Sequence, residues 1–330
     1  MQREEVAVRV GSFTVRLLQR PPGVAPSPDR HDPTPCDPTT STPAVTSAPD
    51  ASPSPAPLAP ADCLLGWELW PAATLLASFL ASPAGAALIP PGARVLELGA
   101  GLGLPGIVAA LAAAPAEVVL SDLPQALTLA QANAEANRVA DRCRAEPLDW
   151  RDLAAAAGAA HPGSGSPAPV AEVVEAEAGA AGPGAEGRAS QHGDAAGPTC
   201  PRGGARHVGA YDVVLAADVV YVSSLAPLLA DVAAAVCRPG GRVVVGHTVR
   251  KSVWLDRATG EVRRDDRDEP WDAFLAQMTQ THGFSARTVA TGADLGAAAA
   301  AGEHGEEDTG REVVSTQAAD CFVSVFKRGG

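Results

Sequence analysis

Aromatic residues are scarce. Phe, Trp and Tyr together make up 4% of the 330 positions, with two Tyr in all. An aromatic side chain inside a patterned segment therefore carries weight. The six cysteines, at 36, 63, 143, 200, 237 and 321, form no CxxC pair. In a chain of this length with no secretory signal, that spacing argues against a disulfide framework. The seven histidines show neither HxH nor HxxxH, and no metal site is expected. Long apolar runs are missing too, because Gly, Pro or charge interrupts each one. The start, Met1-Gln2-Arg3-Glu4-Glu5, has no apolar leader pattern. These absences predict a soluble chain in a reducing compartment, cytoplasmic by default, with nucleus or an organelle left open, and no membrane partner. Basic residues are outnumbered 25 to 38, giving a formal net charge of −13. Such a chain repels phosphate backbones, which argues against nucleic acid as the main partner and leaves room for a cationic one.

What is present is unevenly distributed. Hydrophobic residues reach 46%, a figure inflated by Ala, which offers little area to bury. Within an N-terminal strand region, 1–20, residues 5–18 alternate (Val6, Val8, Val10, then Phe13, Val15, Leu17 across Gly11-Ser12) and read as a short hairpin or paired strands. Residues 21–60 hold 13 of the 30 prolines and read as a disordered linker. From 61 to the end, short apolar strands alternate with helical patterns. Strands are expected at Ala93–Leu98, Glu117–Ser121, Cys143–Leu148, Tyr211–Ala217, Arg242–His247, Phe284–Ala290 and Cys321–Lys327. Helices are expected over 66–81, near 105–113, and at Leu123–Asn137, Leu225–Val236 and Trp271–Thr281. Two stretches poor in large apolar residues, about 153–207 and 291–319, read as disordered insertions. The remainder predicts an α/β, doubly wound, mostly parallel sheet, with the last two strands pairing antiparallel at an edge.

The chemistry concentrates in Val95-Leu96-Glu97-Leu98-Gly99-Ala100-Gly101-Leu102-Gly103-Leu104-Pro105-Gly106, where a strand turns into a helix. Glycines there permit a tight turn and close approach of a ligand to the backbone, and the following helix offers free N–H groups. Two ligand classes fit. Gly101-x-Gly103-x-x-Gly106 matches the dinucleotide fingerprint, and Glu97-x-Gly99-x-Gly101-x-Gly103 the nucleoside loop of methyltransferases. Both want an acid at the end of the next strand for ribose hydroxyls, and Asp122 serves either.

Other residues separate them. Trp70-Pro71-Ala72-Ala73, the glycine loop, Ser121-Asp122-Leu123-Pro124, Asn133 and Asn137, Leu148-Asp149-Trp150 and Ala217-Asp218-Val219-Val220-Tyr221 follow in this order. That series resembles the seven-strand lysine methyltransferases often called methyltransferase family 16, well over 64–150 and 211–250 and more loosely beyond. The resemblance implies a Rossmann-like fold with a seven-stranded sheet and S-adenosylmethionine as cofactor. It implies that Gly99, Ala100 and Gly101 line the cofactor, Glu97 lies near its amino-acid end, and Asp122 takes the ribose. Trp150 would flank the adenine, Ala217 would touch the cofactor, and Trp70 would wall the methionine portion. Asp218 and Tyr221 would border a channel for the lysine of a protein substrate. Duller roles compete: Asp122 as a helix cap, Trp70 and Trp150 as core aromatics, Asp218 as a turn residue. His247, at the ligand edge of its strand, reads as structural, as does Trp271. Trp67 and Trp254 suggest no role. A small-molecule methyltransferase, a nicotinamide enzyme and a non-catalytic interaction protein remain the alternatives.

Overall fold

The computed structural model describes residues 3–20, 65–160, 204–251, 253–255, 259–293 and 320–329. The stretch 21–60, and most of the two stretches read as insertions, lie outside the described residues. A seven-stranded sheet organises the rest. In chain order its strands are β3 (Arg94–Leu98), β4 (Glu117–Asp122), β5 (Cys143–Pro147), β6 (Tyr211–Ala217), β7 (Cys237–Thr248), β10 (Ser285–Thr291) and β11 (Cys321–Lys327). Across the sheet they lie in the order β10-β11-β7-β6-β3-β4-β5. The pairs among β3 to β7 are parallel, and β11 runs antiparallel to both neighbours. The antiparallel strand thus sits one place in from the edge, with β10 outside it.

Strand alternation sends residues to two separate cores. Val95, Val118, Leu120, Val213, Leu215 and Val244 face α1 (Pro71–Ala81), α3 (Leu104–Ala112) and α4 (Pro124–Ala136). Leu96, Leu98, Val119, Val214, Val243 and Val245 face α5 (Trp150–Ala160), α6 (Ala226–Val236) and α7 (Glu269–Ala276). Helices cover both faces, as a parallel sheet with two apolar sides requires. Pro71 occupies the first turn of α1, where a missing N–H costs nothing. The helix presses on β7 closely enough that a Cβ on Gly246 would lie 2.7 Å from the Ala72 carbonyl oxygen.

Several elements differ from the sequence reading. α5 runs on through Ala160, into the stretch read as loose from 153. A short helix, α2 (Pro83–Ala86), and a small hairpin, β8 (Val253–Leu255) with β9 (Val262–Arg264), were not anticipated. The turn expected at Pro239-Gly240-Gly241 lies within β7. Tyr211 pairs with Cys237 and Val213 with Arg242, so the residues between bulge from the ladder. The second half of the helix expected over 271–281 is a π-type turn, Gln277–Thr281.

The N-terminal strands, β1 (Glu4–Val10) and β2 (Phe13–Gln19), form a hairpin that docks on α4. Two asparagines one helical turn apart act as a substitute strand. Asn137 Oδ1 accepts from the Arg16 N–H (2.9 Å), and its Nδ2 donates to the Arg16 carbonyl (2.7 Å). Asn133 Oδ1 accepts from the Leu18 N–H (2.6 Å), and its Nδ2 donates to the carbonyls of Leu18 (3.3 Å) and Leu102 (3.0 Å). The side chains satisfy the backbone groups that a sheet edge leaves open.

Candidate active site

In the strand order, β4 and β5 follow β3 on one side while β6 and β7 lie on the other, so the chain reverses direction across the sheet between β3 and β6. Ligands in open α/β sheets bind at such a crevice, outside the carboxyl ends of the strands. A cavity of about 550 Å³ opens there. Trp70, Glu97, Gly99, Ala100, Gly101, Asp122, Trp150, Ala217, Asp218 and Tyr221 all line it. These are the ten residues singled out in the sequence, brought together from five separate stretches of chain.

The loop after β3 holds a conformation that demands glycine. Gly99, Gly101 and Gly103 have φ of 63°, 52° and 79°. A Cβ on Gly99 would also lie 2.6 Å from Val219 Cγ1 and 3.4 Å from the Trp150 ring. The backbone floor of the cavity is thereby bare. Asp122 is fixed against this floor. Its Oδ2 accepts from the Gly101 N–H (2.8 Å) and its Oδ1 from the Leu123 N–H (2.7 Å). Leu123, not Asp122, is the N-cap of α4, so capping is not what holds the aspartate. Each carboxylate oxygen keeps acceptor capacity for a hydroxyl, and two such oxygens suit a ribose diol. Burial raises the Asp122 pKa, against the pull of its two N–H donors.

Glu97 is 1% exposed. Its Oε2 accepts from the Gly106 N–H at 2.9 Å, tying β3 to the first turn of α3. Burial pushes its pKa up to about 8, the Gly106 N–H opposes this, and the Asp122 charge adds to it. Near neutral pH this carboxyl is mostly protonated. A cationic group brought beside it would favour the charged form.

On the other side, Asp218 directly follows β6 with φ 57°, a left-handed conformation uncommon for a residue with a side chain. Its N–H donates to the Gly246 carbonyl (2.9 Å). Thr248 Oγ1 donates to its Oδ2 at 3.2 Å, and Arg250 Nη2 lies 2.7 Å from its Oδ1. The Arg250 guanidinium also sits 5.8 Å from the centre of the Tyr221 ring. Tyr221 is 42% exposed at the mouth. The sequence reading missed Arg250. No motif marks it, and its position depends on the pairing of Ala217 with Gly246 across β6 and β7.

His247 does not line the cavity. It is fully buried between Trp271 (4.8 Å) and Phe322 (5.4 Å), with Nε2 2.8 Å from Asp268 Oδ2. Burial lowers its pKa and favours the neutral ring, as expected of a structural histidine. Trp67 lies beside the site, where its indole N–H donates to the Gln125 carbonyl (3.2 Å).

A glycine-floored crevice at the switch point, with a ribose-type acid on the next strand, fits S-adenosylmethionine. The mostly parallel seven-stranded sheet with helices on both faces is the Rossmann-like fold of methyltransferases. Residues 62–161 match a family described as lysine methyltransferase. Solved structures with similar folds include an O-methyltransferase family protein from Burkholderia thailandensis (13% identity, TM-score 0.43, covering 77% of this chain). This chain spans 55% of the length of that protein. Another is the O-methyltransferase from Bacillus cereus in complex with SAH (14% identity, TM-score 0.41, covering 79% of this chain and 83% of that one).

Proposed function

We propose that the chain transfers a methyl group from S-adenosylmethionine to a lysine amine of a protein. The observation that carries this reading is the placement of Asp218 and Tyr221 on the same cavity wall region as the residues proposed for the cofactor. The cofactor supplies a methyl carbon already activated by sulfonium. The protein's work is then chiefly to position the acceptor and keep water out. Gly99, Ala100, Gly101 and Ala217 form the surface for the cofactor, Asp122 holds its ribose, and Trp150 flanks the base. Trp70 offers an indole face near the sulfonium, an arrangement that attracts cations. The acceptor nitrogen must be uncharged when its lone pair forms the new N–C bond and the S–C electrons return to sulfur. Asp218 orients that nitrogen and Tyr221 packs along its alkyl stem.

A small-molecule acceptor is the second reading. It is favoured by the Arg250–Asp218 pair, which gives the Asp218 carboxylate a cationic partner before any ammonium group arrives. Transfer of tritiated methyl to protein and metabolite extracts separates the two. We expect label in protein lysines. We also expect Asp218→Asn to cut transfer about 100-fold or more, the scale of a lost positioning contact, with S-adenosylhomocysteine affinity nearly unchanged. Asn tolerates the left-handed backbone that Ala would strain. Label confined to metabolites would overturn the lysine reading, and full activity of the variant would remove Asp218 from its role.

A further inference from the structure

The acceptor side of the cavity already contains a cation. Arg250 Nη2 lies 2.7 Å from Asp218 Oδ1, and the same guanidinium lies 5.8 Å from the Tyr221 ring centre. A carboxylate and an aromatic face are the two groups by which a protein holds an ammonium ion, and one guanidinium lies against both. Nor is this a loose surface arm. The Arg250 backbone N–H donates to Asp268 Oδ2 (2.7 Å), and its Nη1 donates to the Thr248 carbonyl (3.2 Å). Asp268 is fixed in turn, with Oδ1 accepting from the Trp271 N–H (3.2 Å). The Asp218 side chain is 1% exposed and that of Arg250 32%, so the pair is rooted in the core and shows its positive end to the cavity. Of the other acids that line the cavity, Glu68 is bound to Arg20 at 2.6 Å, and Glu97, Asp122 and Asp149 each accept from backbone N–H groups.

We propose that Arg250 makes the acceptor site select the uncharged form of the target amine. This rests on the amine-acceptor reading above. A protonated amine brought to Asp218 must share one carboxylate with a fixed guanidinium, and like charges at that range oppose each other. An uncharged amine meets no such opposition. It can donate an N–H to Asp218 or to Thr248 Oγ1 and keep its lone pair for the methyl carbon. Its proton is left to solvent before binding, so Asp218 need not act as the base. Crowding an amine with a neighbouring cation is a recognised way to favour its nucleophilic form. Arg250 is thus a specificity residue acting through charge.

The test is ligand-observed NMR titration of the full chain saturated with S-adenosylhomocysteine at pH 7. Two probes of equal length are compared: Nα-acetyl-lysine methylamide, which carries the ammonium, and Nα-acetyl-6-hydroxynorleucine methylamide, which carries an uncharged hydroxyl. The wild-type chain is expected to bind the hydroxyl probe at least as tightly as the lysine probe. Arg250→Gln, which leaves Asp218 without its cation, is expected to shift the ratio of affinities toward the lysine probe by about ten-fold or more, the scale on which one neighbouring charge acts. Arg250→Lys keeps the charge and is expected to keep the wild-type ratio. S-adenosylhomocysteine affinity reports the fold of each variant. Binding of both probes with one ratio in wild type and Arg250→Gln overturns the inference alone, as does a ten-fold wild-type preference for the lysine probe. Failure of either probe to bind any of the three proteins, with S-adenosylhomocysteine bound, overturns the amine-acceptor reading and the inference with it.

Discussion

At the scale of single residues, the carboxyl of Glu97 links stability to pH in an uncommon direction. The folded chain holds this proton up to about pH 8, while an unfolded chain releases it near 4.5. Between those values the folded state binds the extra proton. Its contribution to stability is therefore complete below about 4.5 and is lost as pH rises toward 8. Holding one extra proton across one pH unit is worth about 1.4 kcal/mol, so the loss amounts to several kcal/mol over the whole window. Glu97→Gln keeps an acceptor for the Gly106 N–H but cannot ionise. We expect its urea midpoint to gain on the wild type steadily from pH 5 to pH 8. Taking the difference between the two proteins cancels other titrating groups, such as His207, which burial holds down to about 4. A difference that stays flat across that range would show that Glu97 ionises normally in its pocket.

At the scale of elements, the hairpin β1–β2 is joined to the cofactor loop through one buried side chain. Asn133 holds the Leu18 backbone with one hand and the Leu102 carbonyl of the glycine loop with the other. Asn137 touches the hairpin and its own helix, and does not reach that loop. Asn133→Ala leaves buried backbone groups unpaired, at about 1–3 kcal/mol each. It should lower both the unfolding free energy and the affinity for S-adenosylhomocysteine. Asn137→Ala should lower stability by less and leave affinity unchanged. Equal affinity in the two variants, by calorimetric titration, would show that the hairpin does not act on the loop. Both asparagines stood out in the sequence, yet the hairpin they hold was not tied to them. Apolar alternation marks a strand, whereas docking of backbone on side-chain amides has no periodic signature. The limits of β6 and β11 were legible because bounded runs of branched and aromatic residues specify them. The far end of α5 was not. Ala155, Ala156 and Ala157 favour a helix by propensity, but large apolar residues are absent after Leu153, and composition alone read them as loose. Arg250 was illegible for a third reason, since it meets Asp218 only through strand register. The ten cavity residues lay in local motifs, which a single sequence displays directly.

At the scale of the whole molecule, the described residues that flank 161–203 lie close together. Gly204 packs against α5, where a Cβ would lie 3.2 Å from that of Ala156. Arg206 and His207 then pair with Glu146 of β5, His207 at 3.0 Å. Ala160 lies one helical turn beyond Ala156, about 6 Å along the axis, so both ends of residues 161–203 leave from one patch. A linker of about eight residues spans such a gap with slack, given the ~3.3 Å reach of each residue. Among the described residues, none between Arg151 and Ala217 lines the cavity. We therefore propose that 161–203 is an insertion that neither folds the sheet nor binds the cofactor. Replacing it with eight Gly/Ser residues shortens the loop about five-fold, and closure entropy then favours the folded state by roughly 1.5 kcal/mol. The urea midpoint should rise slightly, with S-adenosylhomocysteine affinity within about three-fold of wild type. Methyl transfer to protein extract then locates what the stretch contributes. If binding persists while labelling of proteins disappears, the segment takes part in recognising the acceptor, which a charge-selective amine site alone would not achieve. If binding itself is lost from a folded chain, the cofactor site extends beyond the ten residues around the crevice.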